Sequence, residues 1–237
     1  METSLIIPCF NEEGNIDTLV KKCETFLDNQ KNQLVLVNNG STDNTEKKID
    51  QHLHISNILK VNVKKNEGFG YGVLEGLKMA SGNVLSYTHA DLQTDPNDVL
   101  EGIKLIKDKN DYNFFIKGKR VNKIKNNWSI LDLFISYSMT LFESLLFQKF
   151  LYDIHAQPVI FHRNFYKSWI SPPKDMTFDV YTYYLAKQKS YRITRFPVNF
   201  NKLNRLSGTG NNVTIKKTVI GSLEHIMESL TLRLKIK

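Results

Sequence analysis

Short, continuous apolar runs separated by amphipathic stretches recur through the first half of the chain. Leu5-Ile6-Ile7, Leu34-Val35-Leu36-Val37, Ile58 to Val63 and Val84 to Tyr87 read as strands. A strand with one wet face would alternate apolar and polar residues, so continuous runs imply burial on both faces. Helical patterns fill the intervals: about Glu13 to Asp28, Asn44 to about His54, and a segment from the turn Asn66-Glu67-Gly68-Phe69-Gly70 to near Ala80. Asn44 suits a helix N-cap, and Gly82 lies where a helix C-terminus favours glycine. Another helical segment runs from Asn97 to Lys107. The alternation predicts an α/β fold, a Rossmann-like and mostly parallel sheet with helices on both faces.

Beyond Phe114-Phe115-Ile116-Lys117-Gly118 the pattern changes. Ile130 to Leu151 is dense in Leu, Phe, Ile, Tyr and Met, interrupted by Asp132, Glu143, Lys149 and small polar residues. So apolar a helix is either buried or set against another apolar phase. A strand-like Pro158-Val159-Ile160-Phe161 follows, then a helix from about Asp179 to Gln188, a strand from Tyr191 to Val198, and a Gly/Ser/Thr/Asn loop from Arg205 to Asn212. Ile215 to Leu234 places Ile215, Val219, Leu223, Ile226, Met227, Leu230 and Leu234 on one helical face. One domain over residues 1–212 with an amphipathic C-terminal helix over 213–237 is therefore expected.

Composition narrows the field. A chain of 237 residues can bury one sizeable core, and its net charge of +8 suits phosphates or anionic lipid. No nucleic-acid module is recognisable, so nucleic acid is not expected as a partner. The two cysteines, Cys9 and Cys23, have no metal-ligand spacing and read as idle thiols in a reducing compartment. Ser4-Leu5-Ile6-Ile7-Pro8 is too short for a signal-peptide core, and no uncharged apolar run approaches the ~20 residues of a spanning helix. A cytoplasmic protein that meets a membrane from the side is expected.

The chemistry concentrates in Tyr87-Thr88-His89-Ala90-Asp91-Leu92-Gln93-Thr94-Asp95-Pro96. An unpaired carboxylate where a buried strand ends costs on the order of several kcal/mol. At the carboxyl end of a strand in an open α/β sheet, however, it stands where ligands bind. Flanked by His89 and Gln93, Asp91 suits a divalent cation that grips a diphosphate.

Four stretches then carry a family resemblance: Ile7-Pro8-Cys9-Phe10-Asn11-Glu12-Glu13, Val37-Asn38-Asn39-Gly40-Ser41-Thr42-Asp43-Asn44-Thr45, Asn66-Glu67-Gly68-Phe69-Gly70 and His89-Ala90-Asp91-Leu92-Gln93-Thr94-Asp95-Pro96. In this order and spacing they resemble a family 2 glycosyltransferase of the GT-A fold, firmly over about Ser4 to Arg120 and more loosely afterwards. Ala90-Asp91-Leu92-Gln93 is most similar to the dolichol-phosphate mannose synthase and polyprenyl-phosphate glycosyltransferase branch.

That resemblance implies inverting transfer from a nucleotide-diphospho-sugar, with residues 1–120 forming the nucleotide-sugar half and 121–212 the acceptor half. It implies that Pro8, Phe10, Glu12, Asn39 and Gly68 line the nucleotide pocket. Asp91 would hold Mg²⁺ or Mn²⁺, with His89 and Gln93 as further ligands. Arg120 would bind an acceptor or donor phosphate, and Arg205 would contact phosphate from a mobile loop. Asp179 would be a base for a hydroxyl acceptor, or would orient a lipid phosphate.

Departures from the family pattern matter. Asn39 replaces a usual Asp, and because an amide both donates and accepts, base preference is not inherited. His89 also replaces an Asp, and a neutral imidazole brings no charge to a cation. Two acceptors stay open: a polyprenyl phosphate, already ionised near neutral pH with a second pKa of about 6, or a glycan hydroxyl in cell-surface polysaccharide synthesis, which needs a base. A catalytically silent nucleotide-sugar-binding protein is the third reading. The apolar helices, with Lys123, Lys125, Lys216 and Lys217, would place the protein peripherally at the cytoplasmic face of a membrane, or else form a core or homodimer face.

Overall fold

A computed structural model describes residues 2–108, 110–204 and 215–236. Its centre is a sheet of seven strands: β1 (Thr3–Cys9), β2 (Gln33–Asn39), β3 (Ile58–Val63), β4 (Val84–Tyr87), β5 (Phe114–Val121), β6 (Val159–His162) and β7 (Arg192–Asn199), in the order β3-β2-β1-β4-β6-β5-β7. All pairings are parallel except those of β6, which runs antiparallel to both β4 and β5. The apolar runs predict the strands but not this reversal. Val159-Ile160-Phe161 is equally apolar on both faces whichever way it runs.

Successive strand residues serve opposite faces. Leu5, Ile7, Leu34 and Leu36 join one core with Ile16, Leu19 and Val20 of α1 (Ile16–Lys22), Phe26 and Leu27 of α2 (Glu24–Leu27), and Ile49 of α3 (Thr45–Asp50). Ile6, Val35 and Val37 join the other, with Val73 and Leu77 of α4 (Phe69–Met79). On the first face also lies α5 (Asp98–Lys104), through Val99. Cys9 and Cys23 are free and buried, as expected of idle thiols. The expected first helix is in fact two, meeting at Cys23.

Gly82 has a role other than capping. Its surroundings leave no room for a side chain, because a Cβ would stand 2.7 Å from the Ser4 nitrogen. The end of α4 is instead closed by Arg163, whose Nη2 donates to the Ala80 carbonyl at 2.7 Å. Arg163 opens α7 (Arg163–Lys167), a short helix the apolar pattern does not announce.

The second core face is completed by α6 (Ile130–Phe147), α8 (Phe178–Gln188) and α9 (Ile215–Lys235). Ser129 and Asp132 form a reciprocal capping box at the start of α6. Its end falls at Phe147, short of the expected Leu151, because Gln148 turns left-handed at φ 53°. α9 docks on α6: Ser229 Oγ donates to Glu143 Oε1 at 2.6 Å, and Arg233 Nε donates to the Leu146 carbonyl at 3.1 Å. Outside that contact, α6 leaves Ile130, Phe134, Tyr137, Leu141 and Leu145 exposed, and α9 leaves Leu223, Met227 and Leu234 exposed. By length and composition α6 is apolar enough to cross a membrane, and 11% of it is buried.

Candidate active site

β1 is flanked by β2 on one side and β4 on the other, so the chain order reverses there and a crevice opens at the strands' carboxyl ends. The loops after β1 and β2 lace together beside it. Glu12 N–H donates to Thr45 Oγ1 at 2.8 Å, Thr42 N–H to Asn11 Oδ1 at 2.8 Å, and Asn44 N–H to Glu13 Oε2 at 2.9 Å. The Glu12 carboxylate is buried and accepts from Asn15 Nδ2.

The two asparagines before Gly40 divide the work. Asn38 Oδ1 accepts from Ser41 N–H at 3.2 Å, which builds the turn. Asn39 Nδ2 instead reaches the Gly68 carbonyl at 3.1 Å, while its buried Oδ1 has no hydrogen-bond partner among the described residues. Gly68 sits at φ 118°, and a Cβ there would meet the Lys174 carbonyl at 2.4 Å, so the residue must be glycine. Pro8 is buried on β1 against Gly72, and Phe10 is half-buried. Pro8, Asn39 and Gly68 thus come together.

At the tip of β4, Asp91 is nearly buried and its Oδ1 accepts Gln93 N–H at 3.1 Å, across a left-handed Leu92 at φ 60°. The His89 ring lies 4.8 Å from that of Phe69. Asn201 N–H donates to the Gln93 carbonyl at 2.8 Å, tying this loop to the chain beyond β7. Among the described residues no three His, Cys, Asp or Glu side chains cluster as a metal cage.

Asp179 comes to the same end of β4. Although in the first turn of α8, it does not cap that helix. Its Oδ1 accepts from Tyr87 OH at 2.7 Å, and its Oδ2 accepts from Gln157 Nε2 at 3.3 Å and faces His155 Nδ1 at 3.2 Å. The carboxylate is wholly enclosed. Burial alone would raise its pKa, but the Lys117 charge and the bonds from His155 and Tyr87 pull it well below the usual carboxylate range. Lys117, equally enclosed on β5, has no hydrogen-bond partner among the described residues, and burial draws its pKa down to about 7.

Arg120 is not an open arm. Its Nε donates to Asp153 Oδ1 at 2.6 Å and its backbone N–H to Asp153 Oδ2 at 2.7 Å, with the guanidinium 4.9 Å from the Trp128 ring and 5.6 Å from the Phe200 ring, which meet each other edge to face. Lys123, expected at the surface, is buried, with its Nζ 3.9 Å from Asp153 Oδ1 and 5.1 Å from the Tyr137 ring of α6. Arg195 Nη2 stands 3.7 Å from Asp153 Oδ2. Four cations, Lys117, Arg120, Lys123 and Arg195, therefore surround two enclosed carboxylates, Asp153 and Asp179. Arg205 lies outside the described residues.

Sequence reasoning passed over Tyr87, Asp153, His155, Gln157 and Arg195. A signal was available for three of them, because Asp153-x-His155-x-Gln157 precedes an apolar strand with polar residues at every second position.

The family model Glycosyl transferase family 2 matches residues 4–168. The chain belongs to that family. It is 30% identical over 139 residues to a dolichol-phosphate mannosyltransferase of Pyrococcus furiosus, a match covering 57% of this chain and 38% of that protein. It is 23% identical to a dolichyl-phosphate beta-glucosyltransferase of Dictyostelium discoideum over 92% of this chain and 72% of that one. The first of these relatives is thus matched over less than two-fifths of its length. Among solved structures, glucosyl-3-phosphoglycerate synthase of Mycobacterium tuberculosis with Mn²⁺, UDP-glucose and phosphoglyceric acid superposes with a TM-score of 0.72 at 14% identity, over 99% of this chain and 80% of that one. A Pyrobaculum calidifontis mannosyltransferase with GDP-mannose and Mn²⁺ gives 0.62 at 13% identity, over 99% and 73%. The fold is GT-A, and the chain carries a Glycosyl transferase family 2 domain.

Proposed function

We propose that this glycosyltransferase moves a hexosyl unit, with inversion, from a nucleotide-diphospho-sugar to a polyprenyl phosphate at a membrane surface. One observation carries the reading. The four-cation cluster adjoins α6, where Lys123 lies over Tyr137, and α6 continues from there as an exposed apolar helix. Four buried basic groups around two carboxylates favour a bound anion, which would restore to the lysines the charge that burial disfavours. An apolar strip beside that cluster suits the chain attached to a phosphate. The names of the Pyrococcus and Dictyostelium relatives point the same way. Asp179 is poorly suited to be the base that a glycan hydroxyl needs, because that carboxylate is sealed and far less basic than an ordinary one.

In this reading Glu12, Asn39, Pro8, Phe10 and Gly68 hold the nucleoside, with the spare Asn39 Oδ1 receiving a donor from the base. Asp91 is a single, firmly held carboxylate, which suits a divalent cation sharing its coordination with a diphosphate better than one caged by protein. His89 and Gln93 are the further ligands within the same loop. When bound, Mg²⁺ or Mn²⁺ would neutralise charge growing on the leaving diphosphate of an oxocarbenium-like transition state. Arg120, pinned by Asp153 beside the Trp128 and Phe200 rings, is the guanidinium held in place for phosphate.

The test is transfer of labelled sugar from UDP-, GDP- and CDP-linked donors, with Mn²⁺, to polyprenyl phosphate in vesicles and to soluble glycans. Transfer to glycans alone would overturn the lipid reading, and donor binding without any turnover would favour a silent protein. A companion result concerns the apolar strip. Each large side chain moved out of water contributes roughly 1.5–3 kcal/mol, so Phe134→Glu with Leu141→Glu should weaken flotation with anionic vesicles by ~10²-fold or more. Unchanged flotation would remove the membrane from the account.

A further inference from the structure

Asp179 has no surface of its own, but His155 beside it keeps 32% of its side-chain surface. An ionised carboxylate only accepts, so His155 Nδ1, 3.2 Å from Asp179 Oδ2, carries the hydrogen and Nε2 keeps its lone pair. No described residue gives Nε2 a hydrogen-bond partner. The ring is also held from its other side, where the His225 ring of α9 stands against it at 5.1 Å and 71°. His225 Nε2 in turn lies 3.1 Å from the enclosed Glu143 Oε1 of α6. The imidazole is thus fixed in tautomer by one partner and in place by another, with one nitrogen left over.

We propose that His155 is a catalytic residue whose Nε2 takes the acceptor's proton. The proposal rests on the acceptor chemistry inferred above. As the acceptor oxygen forms its bond to the anomeric carbon, the bond from that carbon to the nucleoside diphosphate breaks and its electron pair leaves with the diphosphate. The acceptor's hydrogen, where it still has one, passes to Nε2. A phosphate monoester keeps one such hydrogen below its second pKa of about 6 and none above it. Among the described residues, Asp179 from α8, His225 from α9 and Arg120 from β5 are the charged or titratable groups that act on the ring. Burial acts first to lower the imidazole's proton affinity, Asp179 raises it, and His225 and Arg120 lower it, leaving it below the ordinary histidine range. The lowered proton affinity favours the neutral imidazole, the form able to accept.

The experiment compares kcat of the wild type, His155→Ala and His155→Gln between pH 5 and 8, with polyprenyl phosphate in vesicles as acceptor. Both variants should be ~10²-fold slower than wild type below pH 6, the scale of one general base, and within about tenfold of it at pH 8. With that acceptor, a loss equal at every pH, a change confined to KM, or no change overturns the proposal. Far-ultraviolet circular dichroism melts confirm that both variants fold, and the glutamine keeps a donor for Asp179. A wild type that uses only a hydroxyl acceptor refutes the lipid reading but not this one. With such an acceptor both variants should lose ~10²-fold in kcat at every pH, and retained activity would overturn the role.

Discussion

Asp91→Asn should lower kcat by about 10³-fold or more while leaving the fold intact. The amide keeps an oxygen to accept the Gln93 N–H that Asp91 Oδ1 accepts at 3.1 Å, so the left-handed turn at Leu92 survives. What disappears is the negative charge that the tip of β4 offers a cation. Lewis-acid stabilisation of a leaving group is worth several kcal/mol, and about 4 kcal/mol corresponds to roughly 10³ in rate. Neither neighbour replaces it, since the His89 ring rests against Phe69 and Gln93 brings only an amide. Two measurements check the result. Transfer should fall, and the thermal shift that Mn²⁺ plus a nucleoside diphosphate gives the wild type should vanish, because ligand stabilisation scales with occupancy of the native state. Activity within tenfold of wild type would show that the cation, or the need for one, lies elsewhere.

The difference between Asp91 and the rest of the site shows what a sequence can carry. Asp91 follows a run of buried residues within a few positions, and the turns at Asn39 and Gly68 follow theirs, so local pattern locates them. The apolar runs likewise locate β1, β2 and β4, because a strand covered on both faces needs no partner to be recognised. Lys117 shows where this stops. In sequence it stands in a basic stretch, Lys117-Gly118-Lys119-Arg120, yet it is wholly enclosed, and Asp179, 62 positions along the chain, offsets part of the cost of burying its charge. Asp153 and Arg120 stand 33 positions apart, and Gln157 and Asp179 stand 22 apart. Pairings of that range are decided by the path of the chain after β5, and the reversed β6 within that path is invisible to periodicity. The chain after β5 is therefore legible only as an apolar, basic region, whereas its polar centre becomes apparent only when folded.

That centre supplies the second large effect. Asp153→Asn should cost on the order of 3–5 kcal/mol of stability, the range for removing one member of a buried charge network. The carboxylate is wholly enclosed and faces Arg120, Lys123 and Arg195 together. Burial pushes its pKa up, but the Arg120 charge, two hydrogen bonds from Arg120 and the Lys123 charge pull it net below the ordinary range. The sign of the pH dependence follows. A carboxyl whose folded pKa is depressed stabilises the native state fully above its unfolded value, about 3.9, and loses that contribution as pH falls through the folded value. Asp179, depressed in the same direction, adds to the same acid limb. Denaturant titrations of wild type and Asp153→Asn should thus differ most between pH 5 and 8 and converge as pH drops below about 4. If the gap stayed constant down to pH 2, the lost stability would come from packing and not from the charge. The substitution also frees Arg120 from the carboxylate that pins it, so sugar transfer should fall even at temperatures where the variant remains folded. Recovery of full activity in that folded variant would mean that a fixed guanidinium is not needed for phosphate.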